Sequence, residues 1–345
     1  MTGLREMLER LVEGGDLTES ESGELLAALT DASVEPAMSG ALLAALRAKG
    51  ITPPEVRGFA KAMRSLARRP ILPDGAPAVD IVGTGGDASG SFNLSTAAAL
   101  LVAAAGLRVI KHGNRSVSSR SGSADLLECL GLPLPLDERA AGRCLSETSF
   151  TFLFAPHYHP AMKQVAPVRR ALGIRTVFNL LGPLTNPAQP PFGLIGAYSP
   201  AAARLMAETL SGMPVQRVFV VHGDPGWDEA TPVGPFELFD VRPGNIEYTK
   251  RDPRDFGFDR CRPEDLAGGD AEHNARALRA VFEGRDRGPH RDAVVLNAAL
   301  ALEVAGSAET AEAAAHAAAA AIDEGAAAYM LLRLAAFGKA TGGAG

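Results

Sequence analysis

The sequence has 345 residues, of which 46% are hydrophobic and 21% charged, so it is long enough for about two globular domains and too apolar for a disordered chain. Its 34 basic and 40 acidic side chains leave a formal net charge of −6, which argues against a general nucleic-acid-binding protein. The three cysteines form no Cys-x-x-Cys pattern, which favours a reducing cytoplasm over a disulfide framework or a zinc cluster. We expect no signal peptide, because charges interrupt residues 1–13, and no membrane span.

The first 70 residues or so are predicted to form four helices. Leu42, Leu43 and Leu46 share one face of a helix that Gly50 ends. The next helix begins with Thr-Pro-Pro-Glu at residues 52–55, a spacing that is typical of a capping box with proline at the first helical position. This part of the chain therefore predicts a small all-helical unit.

Beyond it, short apolar runs alternate with helical stretches. The runs typical of buried strands are 78–82, 108–110, 150–154, 193–196 and 218–221. The helical stretches between them are 97–105, 124–130, 162–172 and 201–210, and the chain is helical again from residue 292, with one amphipathic helix over the Ala-rich residues 311–328. This alternation predicts an α/β fold: a small all-helical N-terminal domain, a large α/β domain with a mostly parallel central sheet, and a helical C-terminal part.

A glycine-rich loop, residues 83–87, follows the first predicted strand, and a helix opens soon after it at residues 93–96. Glycines let backbone N–H groups approach a phosphate, and a helix N-terminus adds a partial positive charge. The loop lacks the lysine of a P-loop. Gly83, Gly85 and Ala88 nearly meet the dinucleotide pattern, but Arg108 stands where that pattern needs an acid. The loop predicts another kind of phosphate site, with a tight structural turn as the alternative.

Polar residues also follow the second predicted strand, over residues 111–125. Ligands of open α/β sheets bind at the carboxyl ends of strands. Lys111, one of only six lysines, is therefore a candidate for binding a phosphate or diphosphate, with a solvated surface lysine as the alternative. For His112, a substrate contact and a hydrogen-bonded loop histidine are equally compatible with the sequence.

Four stretches, in this order along the chain, resemble the signatures of the anthranilate phosphoribosyltransferase family. They are residues 83–87 with 93–96, residues 111–115, residues 169–187 and the acidic pair Asp228-Glu229. Residues 270–274 and 291–297 are similar to the family's C-terminal pattern. The resemblance covers nearly the whole chain and is weakest in the first 70 residues.

The resemblance implies an activity, a metal and an assembly. The family transfers the phosphoribosyl group of phosphoribosyl pyrophosphate (PRPP) to the amine of anthranilate and releases diphosphate, in tryptophan biosynthesis. It implies two Mg²⁺ ions per subunit and a cytoplasmic homodimer formed through the helical domain, with no nucleic-acid or membrane partner. The implied small domain is 1–72, joined in space by a hinge segment at roughly 168–188, and the large PRPP-binding domain is 73–167 with 189–345.

The resemblance also implies roles for individual residues. The catalytic residues would be Lys111, Arg169, Asp228 and Glu229. PRPP would bind to Gly83, Thr84, Gly85, Gly86, Asp87, Asn93, Ser95, Thr96, Lys111 and Ser123. Anthranilate would lie against Gly83, His112, Asn114, Arg169, Gly182 and Pro183. One Mg²⁺ would be shared by Ser95 and Glu229, and a second would be held by Asp228 and Glu229.

The sequence departs from the family pattern at one position and leaves some alternatives open. Trp227 stands where family members often have leucine or methionine, and we expect metal binding to survive because the carboxylates follow unchanged. Arg170 lies beside Arg169, so the carboxylate-binding arginine could be either. The alternative functions are a pyrimidine nucleoside phosphorylase of the same fold, which uses free phosphate, and a non-catalytic homologue that binds nucleic acid.

Overall fold

The computed structural model describes residues 3–87, 89–116 and 120–342. Ala88 and residues 117–119, which belong to the two polar loops picked out from the sequence, lie outside the described residues. No helix among the described residues is long and apolar enough to cross a membrane.

Four helices form the N-terminal part: α1 (Leu4–Val12), α2 (Glu19–Leu29), α3 (Pro36–Lys49) and α4 (Pro53–Ser65). Gly50 ends α3 with a φ of +94°, and the Thr52 N–H donates to the Glu55 side chain at the start of α4. Both features match the sequence prediction.

An α/β unit follows. Its first nine helices and strands are β1 (Ala78–Gly83), α5 (Leu94–Ala104), β2 (Arg108–Gly113), α6 (Ser123–Cys129), α7 (Glu138–Thr148), β3 (Phe150–Phe154), α8 (Ala155–Tyr158), α9 (Met162–Leu172) and α10 (Phe178–Leu181). The remainder are β4 (Phe192–Gly196), α11 (Pro200–Ser211), β5 (Arg217–Gly223), β6 (Phe236–Arg242), β7 (Asn245–Arg251), α12 (Ala271–Phe282), α13 (Pro289–Val304), α14 (Ala311–Asp323) and α15 (Ala326–Gly342).

The strands form one sheet in the order β3-β2-β1-β4-β5-β6-β7. The first five strands of this order, β3 to β5, pair in parallel. Strand β6 pairs antiparallel with β5, and β7 pairs antiparallel with β6. This confirms the predicted fold class: a helical N-terminal part, a mostly parallel sheet and a helical C-terminal part. The hairpin of β6 and β7 was not predicted.

Apart from β7, the strands are largely buried on both faces of the sheet, and alternate residues of a strand enter different cores. On β5, Phe219 and Val221 pack with α5 and α13, whereas Val218 and Val220 pack with α11 and the N-terminal helices. Segments that follow α9 join the second core through Phe178 and Leu181.

Two sequence predictions about elements need correction. The Ala-rich residues 311–328 form two helices and not one, because the chain turns at Gly325, which has a φ of +83°. The second strand does not end at residue 110 but continues to Gly113, so Lys111 and His112 lie within β2.

The helical part contains a fully buried carboxylate that links three of its segments. Glu55 accepts hydrogen bonds from the backbone N–H of Leu17 at 2.9 Å and of Thr52 at 2.8 Å, and it pairs with Lys49 at 3.0 Å. Lys49 also pairs with Asp16 at 2.7 Å, but Asp16 is exposed. Removal of the Glu55 carboxylate therefore leaves Lys49 without its buried partner and the buried Leu17 N–H without an acceptor.

We therefore expect Glu55→Ala to lower the free energy of unfolding by about 3–5 kcal/mol. Urea denaturation followed by circular dichroism measures the change. Glu24→Ala, at an exposed position of α2, is the control and should stay within about 0.5 kcal/mol of the parent. Equal stability of the two variants would contradict a stabilising role for the Glu55 network.

Candidate active site

The site lies at the carboxyl ends of β1, β4 and β5. The chain leaves β1 towards β2 and leaves β4 towards β5, so the connections diverge between these two central strands. Such a divergence opens a crevice in a parallel sheet. The loops after β1 and β5 meet there, and the β5 loop carries Asp228 and Glu229.

Each of the three strands ends in a glycine, which lets this acidic loop rest directly on the strand ends. A Cβ atom on Gly83 would lie 2.4 Å from Asp228 Oδ2, one on Gly196 would lie 1.4 Å from the Asp228 carbonyl oxygen, and one on Gly223 would lie 2.3 Å from the Glu229 carbonyl oxygen. At Gly196 and Gly223 a side chain would collide with the loop backbone, and at Gly83 it would displace the Asp228 carboxylate. The acidic pair therefore depends on glycine at three separate places in the sequence.

Hydrogen bonds hold the acidic side chains against the glycine loop and α5. Asp228 Oδ2 accepts from the Gly85 N–H at 2.6 Å, and the Asp228 N–H donates to Asp87 Oδ2 at 3.4 Å. Glu229 Oε1 accepts from the Ser95 N–H, in the first turn of α5, at 3.2 Å. Glu229 Oε2 is buried and has no hydrogen-bond partner among the described residues.

Helix α13 and the end of β5 also anchor the acidic loop. Asn297, on α13, donates its side-chain amide to the Ala230 carbonyl at 2.7 Å. Trp227 is buried in the core, and its backbone exchanges two hydrogen bonds with Gly223. Trp227 thus fixes the turn that precedes the carboxylates.

Lys111 faces this acidic cluster from β2. Its side chain is 1% exposed, and its ammonium group donates to the Ile81 carbonyl and, at 3.2 Å, to Ser95 Oγ. It is therefore not a solvated surface lysine. Burial lowers the pKa of Lys111 to about 8, although the charges of Asp80, Glu229 and Asp228 oppose this effect.

Burial and neighbouring negative charges disfavour the charged forms of the two carboxylates, Asp228 and Glu229. Burial, followed by the charge of Asp87, raises the pKa of Asp228 to about 7. Burial and the charge of Asp228 also raise the pKa of Glu229 well above its usual value. A cation at this place would relieve both effects.

The donor set fits a hard cation that keeps open positions. Among the described residues, no group of three or more His, Cys, Asp or Glu side chains forms a metal site by itself. Mg²⁺ is usually held by one or two carboxylates, and substrate phosphates and water complete its shell. The orphaned Glu229 Oε2, Asp228 and Ser95 Oγ are oxygen donors of this kind.

The glycine loop has a backbone conformation that only glycine adopts readily, and it is tied to its neighbours by hydrogen bonds. Gly85 and Gly86 have φ values of +67° and +77°. Thr84 ties the loop to β4, since its N–H donates to the Gly196 carbonyl at 2.9 Å and its Oγ1 accepts from the Tyr198 N–H at 3.1 Å. Arg175 donates to the Gly86 carbonyl and stacks on the Tyr198 ring at 4.0 Å.

The start of α5 brings the remaining phosphate-side candidates together. Thr96 is fully buried and donates its hydroxyl to Ser123 Oγ at 3.0 Å. Asn93, the residue before α5, donates its amide to the Ser121 carbonyl at 3.1 Å. Hydrogen bonds thus connect Asn93 and Thr96, at the start of α5, to Ser121 and Ser123, at the start of α6.

The other face of β2 carries a separate, neutral group. His112 points away from Lys111, since neighbouring residues of a strand face opposite sides. Its Nδ1 lies 3.1 Å from the Gly182 carbonyl, which can only accept, so Nδ1 carries the proton. Burial, with the neighbouring His159 as a second cause, lowers the pKa of His112 to about 3.

Arg169 and Asn114 are not in the acidic cluster. The Arg169 guanidinium lies over the Phe178 ring at 5.1 Å, and no carboxylate among the described residues pairs with it. Arg170 is exposed. Asn114 is exposed and its side-chain oxygen accepts from the Arg115 N–H at 2.7 Å. Pro183 is buried beside Gly182 in a short 3₁₀ turn.

Sequence reasoning missed Asp80 as a site residue. It is 4% exposed on β1, accepts from the His112 N–H at 3.3 Å and accepts from the Asn186 amide at 2.8 Å. Burial raises its pKa to about 6, although Lys111 opposes the rise. The signal was a single acid inside an apolar strand, Ala-Val-Asp-Ile-Val at residues 78–82.

Comparisons with known proteins agree with this geometry. Residues 75–328 match the model "Glycosyl transferase family, a/b domain", and residues 5–67 match "Glycosyl transferase family, helical bundle domain". The chain is 47% identical over 335 residues to the anthranilate phosphoribosyltransferase of Desulforudis audaxviator, which covers 97% of this chain and 96% of that protein. It is 45% identical to that of Rubrobacter xylanophilus, covering 99% of each.

Solved structures give the same result. The anthranilate phosphoribosyltransferase of Thermus thermophilus superposes with a TM-score of 0.90 at 42% identity, covering 96% of this chain and 99% of that one. The Saccharomyces cerevisiae enzyme in complex with PRPP and Mg superposes with a TM-score of 0.88 at 26% identity, covering 98% of each chain.

The close approach at Gly196 leads to a stability prediction. Gly196→Ala places a methyl group on the Asp228 carbonyl, so we expect it to lower the free energy of unfolding by about 3 kcal/mol. Denaturant unfolding of both proteins measures this. Gly193→Ala, on the same strand, is the matched control, because its Cβ would meet Val218 at an ordinary 3.4 Å. The prediction is wrong if the two variants are equally stable.

Proposed function

We infer that this chain, which belongs to the anthranilate phosphoribosyltransferase family, transfers the 5-phosphoribosyl group of PRPP to the amine of anthranilate. The nitrogen attacks C1 of the ribose, the bond from C1 to the diphosphate oxygen breaks, and the nitrogen loses a proton. Diphosphate and N-(5-phosphoribosyl)anthranilate are the products. The observation that carries this inference is the buried Asp228-Glu229 pair, held on three glycine strand ends opposite a phosphate loop.

The residues around this pair stabilise the leaving group. The glycine loop lets the phosphates approach its backbone closely, and the N-terminus of α5 adds the partial positive charge of a helix start. Lys111 adds a fixed positive charge, because its buried ammonium is already oriented by Ile81 and Ser95. Charge stabilisation that is organised in advance is the main contribution of such a site.

Mg²⁺ is the cation that these oxygen donors suit, and when bound it neutralises charge on the diphosphate. We propose two ions per subunit, one shared by Ser95 and Glu229 and the other held by Asp228 and Glu229. The support is that one Glu229 oxygen already touches α5 and the other is unpartnered among the described residues. Burial and then the charge of Asp87 raise the pKa of Asp228, and Asp87 adds to the negative charge that a cation offsets.

The anthranilate slot lies on the opposite side of β2. We propose that Gly83, His112, Asn114, Gly182 and Pro183 line it and that Arg169 pairs with the carboxylate. Arg169 is preferred to Arg170 because it is partly buried over Phe178 and has no carboxylate partner among the described residues. The aromatic amine attacks as its free base, so positioning replaces an early general base.

The chain is proposed to divide into two domains and to form a homodimer. We propose a small domain of residues 1–72, completed in space by roughly 168–188, and a large domain of 73–167 and 189–345. Phe178 and Leu181 pack in the same core as the N-terminal helices, which supports this division. We also propose a cytoplasmic homodimer through the helical domain, where Val12 is 72% exposed beside the partly buried Leu4 and Leu8, with no nucleic-acid or membrane partner.

The activity is tested directly with purified protein, anthranilate, PRPP and Mg²⁺. We expect the fluorescence of anthranilate to fall with time, and the loss to stop when EDTA removes the metal. No change of fluorescence with all components present would refute the proposed function. Phosphorolysis of thymidine without Mg²⁺ would instead point to the nucleoside phosphorylase alternative.

The roles of the acidic loop and the lysine are tested by substitution. Asp228→Ala and Lys111→Ala should each lower kcat/KM by about 100-fold, the loss typical of removing one fixed electrostatic contact from a transition state. Steady-state kinetics measures it. The matched controls are Asp224→Ala and Lys250→Ala, an exposed pair 3.6 Å apart, which should retain the parent activity. Unchanged kcat/KM in the Asp228 and Lys111 variants would exclude the proposed charge stabilisation.

A further inference from the structure

Asn274 is a buried polar residue for which the proposed reaction gives no role. It lies in the first turns of α12, a helix that begins after Asp270, whose carboxylate accepts from the His273 N–H at 2.8 Å. Asn274 is only 1% exposed, so its amide must find partners inside the protein. One of those partners is a candidate PRPP residue.

The amide groups of Asn274 and Asn93 form a directed chain of hydrogen bonds. The Gly269 N–H can only donate, and it donates to Asn274 Oδ1 at 2.8 Å. Asn274 Nδ2 therefore faces Asn93 and donates to Asn93 Oδ1 at 2.8 Å. Asn93 Nδ2 then donates to the Ser121 carbonyl, which can only accept, at 3.1 Å. Backbone groups at both ends thus set the orientation of both amides.

The backbone around this chain is held together as well. The Gly268 N–H donates to the Gly90 carbonyl at 2.9 Å, and the Phe92 N–H donates to the Leu266 carbonyl at 3.0 Å. A Cβ atom on Gly268 would lie 2.4 Å from the Ser91 carbonyl oxygen, so the two segments touch without a side chain between them. The start of α12 is therefore fixed relative to the loop that leads into α5.

We propose that Asn274 is a positioning residue for PRPP binding, which acts by fixing the side-chain amide of Asn93. This rests on the proposed function. One N–H of Asn93 Nδ2 is used by Ser121, and the orientation leaves the second N–H to donate to a phosphate oxygen of PRPP. A reversed Asn93 amide would present its oxygen there and repel the phosphate. Asn274 itself does not touch the substrate.

Two variants of Asn274 separate orientation from charge and from folding. Asn274→Asp keeps the shape and the bond from Gly269, but it offers Asn93 an acceptor in place of a donor. Asn274→Leu removes both hydrogen bonds without adding a charge. We expect the KM for PRPP to rise about tenfold in each variant, which corresponds to about 1.4 kcal/mol. The KM for anthranilate should stay within about twofold, as expected for a uniform loss of PRPP binding.

Calorimetric titration of each protein with PRPP and Mg²⁺ in the absence of anthranilate gives a readout that does not need turnover. The matched control is Asn245→Asp, the same chemical change at the exposed start of β7, which should bind PRPP like the parent. A melting temperature of Asn274→Asp close to the parent excludes unfolding as the cause. If this variant melts far below the parent, the titration is repeated at a temperature where it is folded.

The outcomes are distinct. Parent-like PRPP affinity in Asn274→Leu overturns the positioning role, even when Asn274→Asp is impaired, because the added charge would then explain the loss. Equal increases in the KM values of PRPP and anthranilate also overturn it, since they indicate a general distortion. A parent protein that neither binds PRPP nor consumes anthranilate refutes the proposed function and not the role of Asn274 alone.

Discussion

The whole site depends on three glycines at neighbouring strand ends. Gly196 and Gly223 leave room for the backbone of the acidic loop to lie on the edge of the sheet, and Gly83 leaves room for the Asp228 carboxylate. The loop then buries two carboxylates beside a third. Burial first, and the neighbouring negative charges second, raise the pKa values of Asp228 and Glu229. The fold thus concentrates negative charge where a bound cation would offset it, with the buried Lys111 as the fixed positive neighbour.

The alternation of side chains along β2 divides the site into two chemically different halves. Lys111 faces α5 and the acidic loop, and it is the charged half. His112 faces the Gly182 turn and the neutral His159, and it belongs to the apolar half. In the proposed function, this division separates the surroundings of the charged leaving group from those of the flat aromatic acid. Asp80 supports both halves, since it accepts from the His112 backbone and lies near Lys111.

Local patterns in the sequence predicted the fold class and its parallel strands, because those strands are continuous apolar runs. The β6 and β7 hairpin was missed because β7 is largely exposed and polar, and so it lacks the buried run of a central strand. The end of β2 was misplaced because Lys111 is charged, yet its partners Ile81 and Ser95 make burial tolerable. The order of the motifs indicated the glycine loop and the acidic pair. The partner of Asn93 could not be predicted, because Asn274 lies 181 residues away and only the folded chain brings the two amides together.

The segment that follows α9 connects the two halves of the site mechanically. Arg175 holds the Gly86 carbonyl on the phosphate side, and the Gly182 carbonyl holds His112 on the slot side. Asn186, at the end of the same segment, is bound to Asp80 and to the Ile110 carbonyl, so this end is fixed to the sheet. The same short stretch of chain also packs with the N-terminal helices through Phe178. The glycine loop and the surroundings of His112 therefore share one support, which is joined to the helical part at one end and to the sheet at the other.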